Sequence, residues 1–172
     1  MPETNANQQE LTRNETTVDR KSDRELVVTR VFNGPVHLVF DAWTKPELLQ
    51  RWWAPKSFGI AFLSCEADAR TGGKYHFVFS HPSTKEPMSF FGRYLEVVPP
   101  ARIVWTNEEG GESGAVTTVT FVDRGDTTHV TMHDLYPSKE ALDQAIASGS
   151  TSGCSEQFNQ LDEVLTTREA NA

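Results

Sequence analysis

The chain has 172 residues, 37% of them hydrophobic and 23% charged, which is enough for one domain with a real core and too few for two comfortable ones. Its 24 acidic against 16 basic residues leave a formal net charge of -8, which repels phosphate backbones and anionic lipid surfaces, and no local run of Lys and Arg offsets it. Nucleic acid and membrane are therefore set aside as partners. No stretch approaches the ~18 apolar residues that cross a bilayer, and MPETNANQQELTRNETT lacks the apolar core of a secretion signal, so a cytoplasmic location is expected.

Residues 1–24 carry only Met1, Ala6, Leu11 and Val18 as larger apolar groups among polar neighbours, and read as a disordered or loosely attached tail. The domain is expected to begin at Glu25, where ELVVTRVF has the β-branched, mostly apolar texture of a strand. Asn33-Gly34-Pro35 breaks it, and Val36, Val39, Phe40 and Trp43 recur at helical spacing behind Pro35. Thr44 is the expected N-cap of a second short helix from Pro46, in which Leu48, Leu49, Trp52 and Trp53 gather before Pro55.

From Ile60 to Leu135 the chain reads as five or six antiparallel strands in successive hairpins, separated by Thr71-Gly72-Gly73, His81-Pro82, Pro99-Pro100, a Gly-rich EEGGESG and Arg124-Gly125-Asp126. Tyr75, Phe77 and Phe79 alternate on one strand and Val119 and Phe121 on another, which assigns those faces inward; MSFFGRYLEVV has apolar groups on both faces and leaves its inward side open. PSKEALDQAIASG is helical in pattern, and Cys154, Phe158, Leu161 and Leu165 form the apolar stripe of a long last helix. One core results only if the sheet curls and that helix lies across it, which is an α+β domain.

Reactive motifs are scarce. Cys65 and Cys154 have no metal-ligand spacing and read as reduced, buried thiols, and neither a metal nor a cofactor is expected. His129 and His133 share a strand face and would form a relay or metal pair near His76 only if its strand were adjacent; the plainer reading is a half-exposed outer row. Glu66 and Asp68 are same-face carboxylates, with Arg70 placed to neutralise Asp68. The adjacent Trp52 and Trp53 are more telling, because successive helical positions point about 100° apart, so that one ring packs inward while the other lines an opening.

Several segments together resemble the SRPBCC (START and birch-pollen-allergen-like) superfamily, in the branch named for the activator of heat-shock protein 90 ATPase. The resemblance runs from Glu25 to about Arg168. It is carried by TRVFNGPVHLVFDAWTKPELLQRWWAP, by Asp68-x-Arg70-x-Gly72-Gly73, by Phe91 to Val97 leading into Pro99-Pro100, by Arg102 to Trp105, and by Gly153 opening a helix with Leu161 and Leu165. It implies a helix-grip fold, in which a curved antiparallel sheet wraps a long C-terminal helix, with two short helices between the first two strands. The domain then spans 25–168, leaving 169–172 as a tail.

The resemblance further implies a cavity between sheet and helix for a small apolar molecule. Phe40, Trp43, Trp53 and Phe58 are expected on one side; Tyr75, Phe77, Trp105 and Phe121 are expected on the other, with Phe158 and Leu161 of the last helix. The branch usually has Trp where this chain has Cys154, so the cavity is expected to be enlarged there or filled by Trp53 or Phe58, and the polar GSTSG before it reads as a flexible lip. The alternative of a cyclase- or dehydratase-like enzyme would need a cavity-facing group among His76, His133, Asp68 and Glu96. Co-chaperone action on a heat-shock protein 90 partner is the weaker alternative, since a 24-residue tail is too short to supply the additional domain of the eukaryotic activators. The ambiguous strand leaves room for a homodimer.

Overall fold

A computed structural model describes residues 16–82, 85–108, 114–147 and 153–171. The described residues contain eight strands: β1 (Thr17–Arg20), β2 (Glu25–Phe32), β3 (Ala61–Ala67), β4 (Lys74–Ser80), β5 (Met88–Val98), β6 (Arg102–Thr106), β7 (Val116–Asp123) and β8 (Thr128–Leu135). They also contain four α-helices, α1 (Val36–Thr44), α2 (Pro46–Trp52), α3 (Lys139–Ala147) and α4 (Cys154–Asn171), and a 3-10 turn at Lys56–Phe58. The strands form one antiparallel sheet in the order β1-β2-β8-β7-β6-β5-β4-β3, so the six-strand meander is closed on one side by the N-terminal hairpin. This is the α+β helix-grip arrangement, with α4 lying along the concave face.

Two boundaries differ from the sequence reading. Strand β1 lies inside the stretch read as tail, pairing Val18 with Val28 and Arg20 with Leu26. All four of its residues are exposed, so it has no hydrophobic alternation to read, and its hold on the domain is partly the ion pair from Arg20 to Asp143 of α3 at 2.8 Å. The two short helices therefore follow the second strand rather than the first. At the other end α4 continues to Asn171, past the expected limit at 168. Residues 1–15 and most of the GSTSG segment lie outside the described residues.

Strand β2 alternates as its sequence requires, with Leu26, Val28, Arg30 and Phe32 turned inward. Thr44 does not cap α2; its hydroxyl donates back to the Phe40 carbonyl at 3.1 Å and closes α1, while Lys45, ahead of Pro46, is extended. In β5 a register shift between Tyr94 and Glu96 explains the two apolar faces. Phe90 and Tyr94 turn inward before it and Val97 after it, while Phe91 and Leu95 face solvent. Gly92 sits where the backbone crowds Thr106, since a Cβ there would lie 2.0 Å from the Thr106 carbonyl oxygen.

The core fills the space between sheet and helices. Phe32, Val39, Trp52, Phe158, Leu161 and Leu165 are essentially inaccessible. Arg30, 3% exposed, reaches from β2 to α4, where it donates to Asn159 Oδ1 at 2.7 Å and pairs with the Asp162 carboxylate.

Candidate functional site

The concave face is not filled along its whole length. A cavity of about 870 Å³ opens between the inner faces of β4 to β8, the segment from Trp52 to Ile60, α3 and the start of α4. That volume lies within the range that takes a drug-sized molecule. A smaller recess of about 10 Å³, room for about one water, shares part of this wall and is lined by Trp43, Leu49, Trp53, Tyr75, Phe77, Tyr94 and Trp105.

The hydrophobic wall is built around Trp53. Trp52 is 1% exposed and donates its indole N–H to the Ala42 carbonyl at 2.8 Å, whereas Trp53 is half-buried and faces the cavity. Its ring lies 5.5 Å from Phe77 and 6.1 Å from Trp105. The end of a helix leaves carbonyls without partners, and α4 supplies them here. Gln160, itself buried, donates to the Trp52 and Ala54 carbonyls at 3.0 and 2.9 Å and accepts from the Lys56 N–H at 2.9 Å. Gln157 donates to the Trp53 carbonyl, and Glu156 accepts from the Ser57 N–H at 2.8 Å.

Trp43, Trp53, Phe58, Tyr75, Phe77 and Trp105 line the cavity, as do Cys154 and Phe158. Phe40, Phe121 and Leu161 do not: they belong to the packed layer, with the Phe40 and Phe121 rings 5.2 Å apart, because alternation and helical period give a residue's side of its element but not how deep it lies in the core. At the start of α4 the Phe58 ring covers Gly153, whose added Cβ would come within 3.2 Å of it, and Cys154 remains 7% exposed at the wall.

The four candidate catalytic groups face outward. Asp68 pairs with Arg70 at 2.8 Å, Glu96 with Arg102 at 3.3 Å and His133 with Glu25 at 2.8 Å, while His76 is exposed beside Phe91. Strands β5, β6 and β7 separate His76 from His133, so the three histidines do not converge, and no metal-holding group of His, Cys, Asp or Glu occurs among the described residues. The enzyme alternative thus loses the side chains on which it rested.

The polar side of the cavity was missed. Asp134 continues the inward face of Val130 and Met132 on β8, so its position in the alternation was the available signal. Its carboxylate accepts from the Thr117 hydroxyl at 2.6 Å, and Thr117 in turn accepts from Asn107 Nδ2 at 3.1 Å. Asp134 retains accessible area where it lines the cavity, yet protein surrounds it, and burial pushes its carboxyl above the ordinary carboxylate range against the lowering effects of Thr117 and His133. Burial likewise raises the Cys154 thiol to about 11 and the Tyr136 hydroxyl to about 12, with Asp134 adding to both.

A curved sheet gripping one long helix over an aromatic cavity defines the SRPBCC class of domain. Residues 33–166 match the family described as activator of Hsp90 ATPase homolog 1-like protein, and the chain belongs to that family. Among curated proteins no relative matches. Solved structures with the same fold include a protein from Rhodobacter sphaeroides at 23% identity and TM-score 0.80, covering 89% of this chain and 99% of that one. A Staphylococcus epidermidis protein is 28% identical at TM-score 0.73, covering 88% of this chain and 94% of its own. The AHSA1-like protein from Aeromonas hydrophila is 16% identical at TM-score 0.65, covering 83% and 94%. No helix among the described residues is long and apolar enough to cross a membrane.

Proposed function

We propose that this protein binds a small, largely apolar molecule in the cavity between sheet and C-terminal helix, and that it does so in the cytoplasm. The observation that carries the reading is the 870 Å³ of space beside Trp53, Phe77 and Trp105, next to a core of buried apolar side chains. Burying an apolar guest there removes ring surface from water at about 25 cal/mol per Å², which supplies the driving force. The free thiols of Cys65 and Cys154 accord with a reducing compartment.

The test is a fluorescence titration with N-phenyl-1-naphthylamine, an uncharged dye of suitable size. Saturable binding at one site per chain is expected. Ala141→Trp or Ala145→Trp, which places an indole into the cavity from α3, weakens binding at least tenfold while the melting temperature holds. Absence of saturable binding, or equal affinity in both filled variants, overturns the proposal.

A further inference from the structure

Three of the cavity's side chains fall on one line across the sheet. Trp105 pairs with Thr117 and Thr117 pairs with Asp134, so the three stand side by side on adjacent strands with Thr117 in the middle. Paired strands run about 4.8 Å apart, which puts Asp134 and Trp105 about 10 Å from one another across a slot floored by the Thr117 side chain.

Hydrogen-bond direction within that slot is fixed. Asn107 Nδ2 donates both to the Ala115 carbonyl at 2.9 Å and to Thr117 Oγ1 at 3.1 Å, leaving the Thr117 proton to point at Asp134 Oδ1. Asp134 is thereby addressed as an acceptor, and Thr117 is its one protein donor among the described residues. A carboxylate offers about four acceptor positions, so most of its capacity is left over. Among the described residues no Lys or Arg lines the cavity, and His81 follows the far end of β4. His133, next to Asp134 in the chain, turns to the outer face and pairs there with Glu25. A carboxylate facing aromatic rings inside the cavity, with no Lys or Arg beside it, is matched by a cationic donor brought in from outside.

We propose, resting on the receptor reading above, that the cavity selects amphiphiles whose polar end is a protonated amine, seated over Thr117 between the Asp134 carboxylate and the Trp105 ring. The ammonium donates to Asp134, its apolar body extends toward Trp53 and Phe77, and a ligand carboxylate is rejected by the charge already in the slot. The same slot discriminates against alcohols, which bring a donor but no charge.

Displacement of N-phenyl-1-naphthylamine by 1-naphthylmethylamine, 1-naphthylmethanol and 1-naphthoate tests this, because the three share one apolar body and differ in the head. At neutral pH the amine is expected to bind at least tenfold more tightly than the alcohol, with naphthoate weakest. In Asp134→Asn the amine and the alcohol become equal within about twofold. Raising the salt to about 0.5 M, which screens the diffuse negative surface but not a buried pair, leaves the wild-type preference in place. Naphthoate binding as tightly as the amine, a preference that survives Asp134→Asn, or one abolished by salt overturns the head-group assignment. Failure of the dye itself to bind overturns the receptor reading instead, so the two failures are distinguishable.

Discussion

Gln160 illustrates how a single buried polar side chain sets the cavity wall. Its amide satisfies two carbonyls and one N–H in the turn after Trp52, the Trp52 carbonyl fully buried and the other two groups partly so. Gln160→Leu keeps the volume but leaves those groups unpaired, at a cost of about 1–3 kcal/mol each before water relaxes into the gap. A loss of about 3 kcal/mol is expected in denaturant titration, together with altered Trp53 fluorescence; a variant as stable as wild type would mean that the clamp is idle. Asp134 acts in the opposite sense. An acid whose value is raised on folding is held more tightly by its proton in the native protein, so its contribution favours folding below its ordinary value of 3.8 and is lost as pH rises through the raised value. Asp134→Asn is therefore expected to melt higher than wild type near pH 7, with the difference closing near pH 3. A variant that melts lower near pH 7 contradicts this.

At the scale of elements, the segments with strong periodicity were legible and those without it were not. Strand β4 alternates so cleanly that Tyr75, Phe77 and Phe79 could be turned inward from sequence, and α4 carries its apolar stripe from Cys154 to Leu165. Strand β1 was invisible because both its faces meet solvent, and β5 was unreadable because its bulge moves the inward set by one residue between Tyr94 and Val97. Site legibility divided similarly. The aromatic wall is legible in composition and family pattern, whereas Asp134 is a single acid on an apolar strand face and belongs to no cluster that spacing reveals. The packing at β5 also gives a test. Gly92→Ala forces a Cβ against the Thr106 carbonyl and the Tyr75 ring, which lies 2.9 Å from the same point. The melting temperature is expected to fall by several degrees with dye affinity reduced, since Tyr75 shares the cavity wall. An unchanged melt would show that β5 and β6 can separate without penalty.

For the whole molecule, the same topology that closes the core keeps the cavity open. The N-terminal hairpin pairs through β2 with β8 and carries Arg30 to the Asp162 and Asn159 side chains of α4, fixing the helix against one side of the sheet. The Trp52–Phe58 turn fixes its beginning, through Gln157 and Gln160. Between these two attachments the space remains, with Trp53 on one side and Ala141 and Ala145 of α3 on another. Outside, Leu63 on β3 and Phe91 and Leu95 on β5 are exposed apolar side chains, where a dye would lodge if the interior were inaccessible. Intermolecular NOEs from bound N-phenyl-1-naphthylamine decide between the two places. Cross-peaks to Trp53, Phe77 and Ala145 are predicted; contacts confined to Leu63, Phe91 and Leu95 would contradict the account.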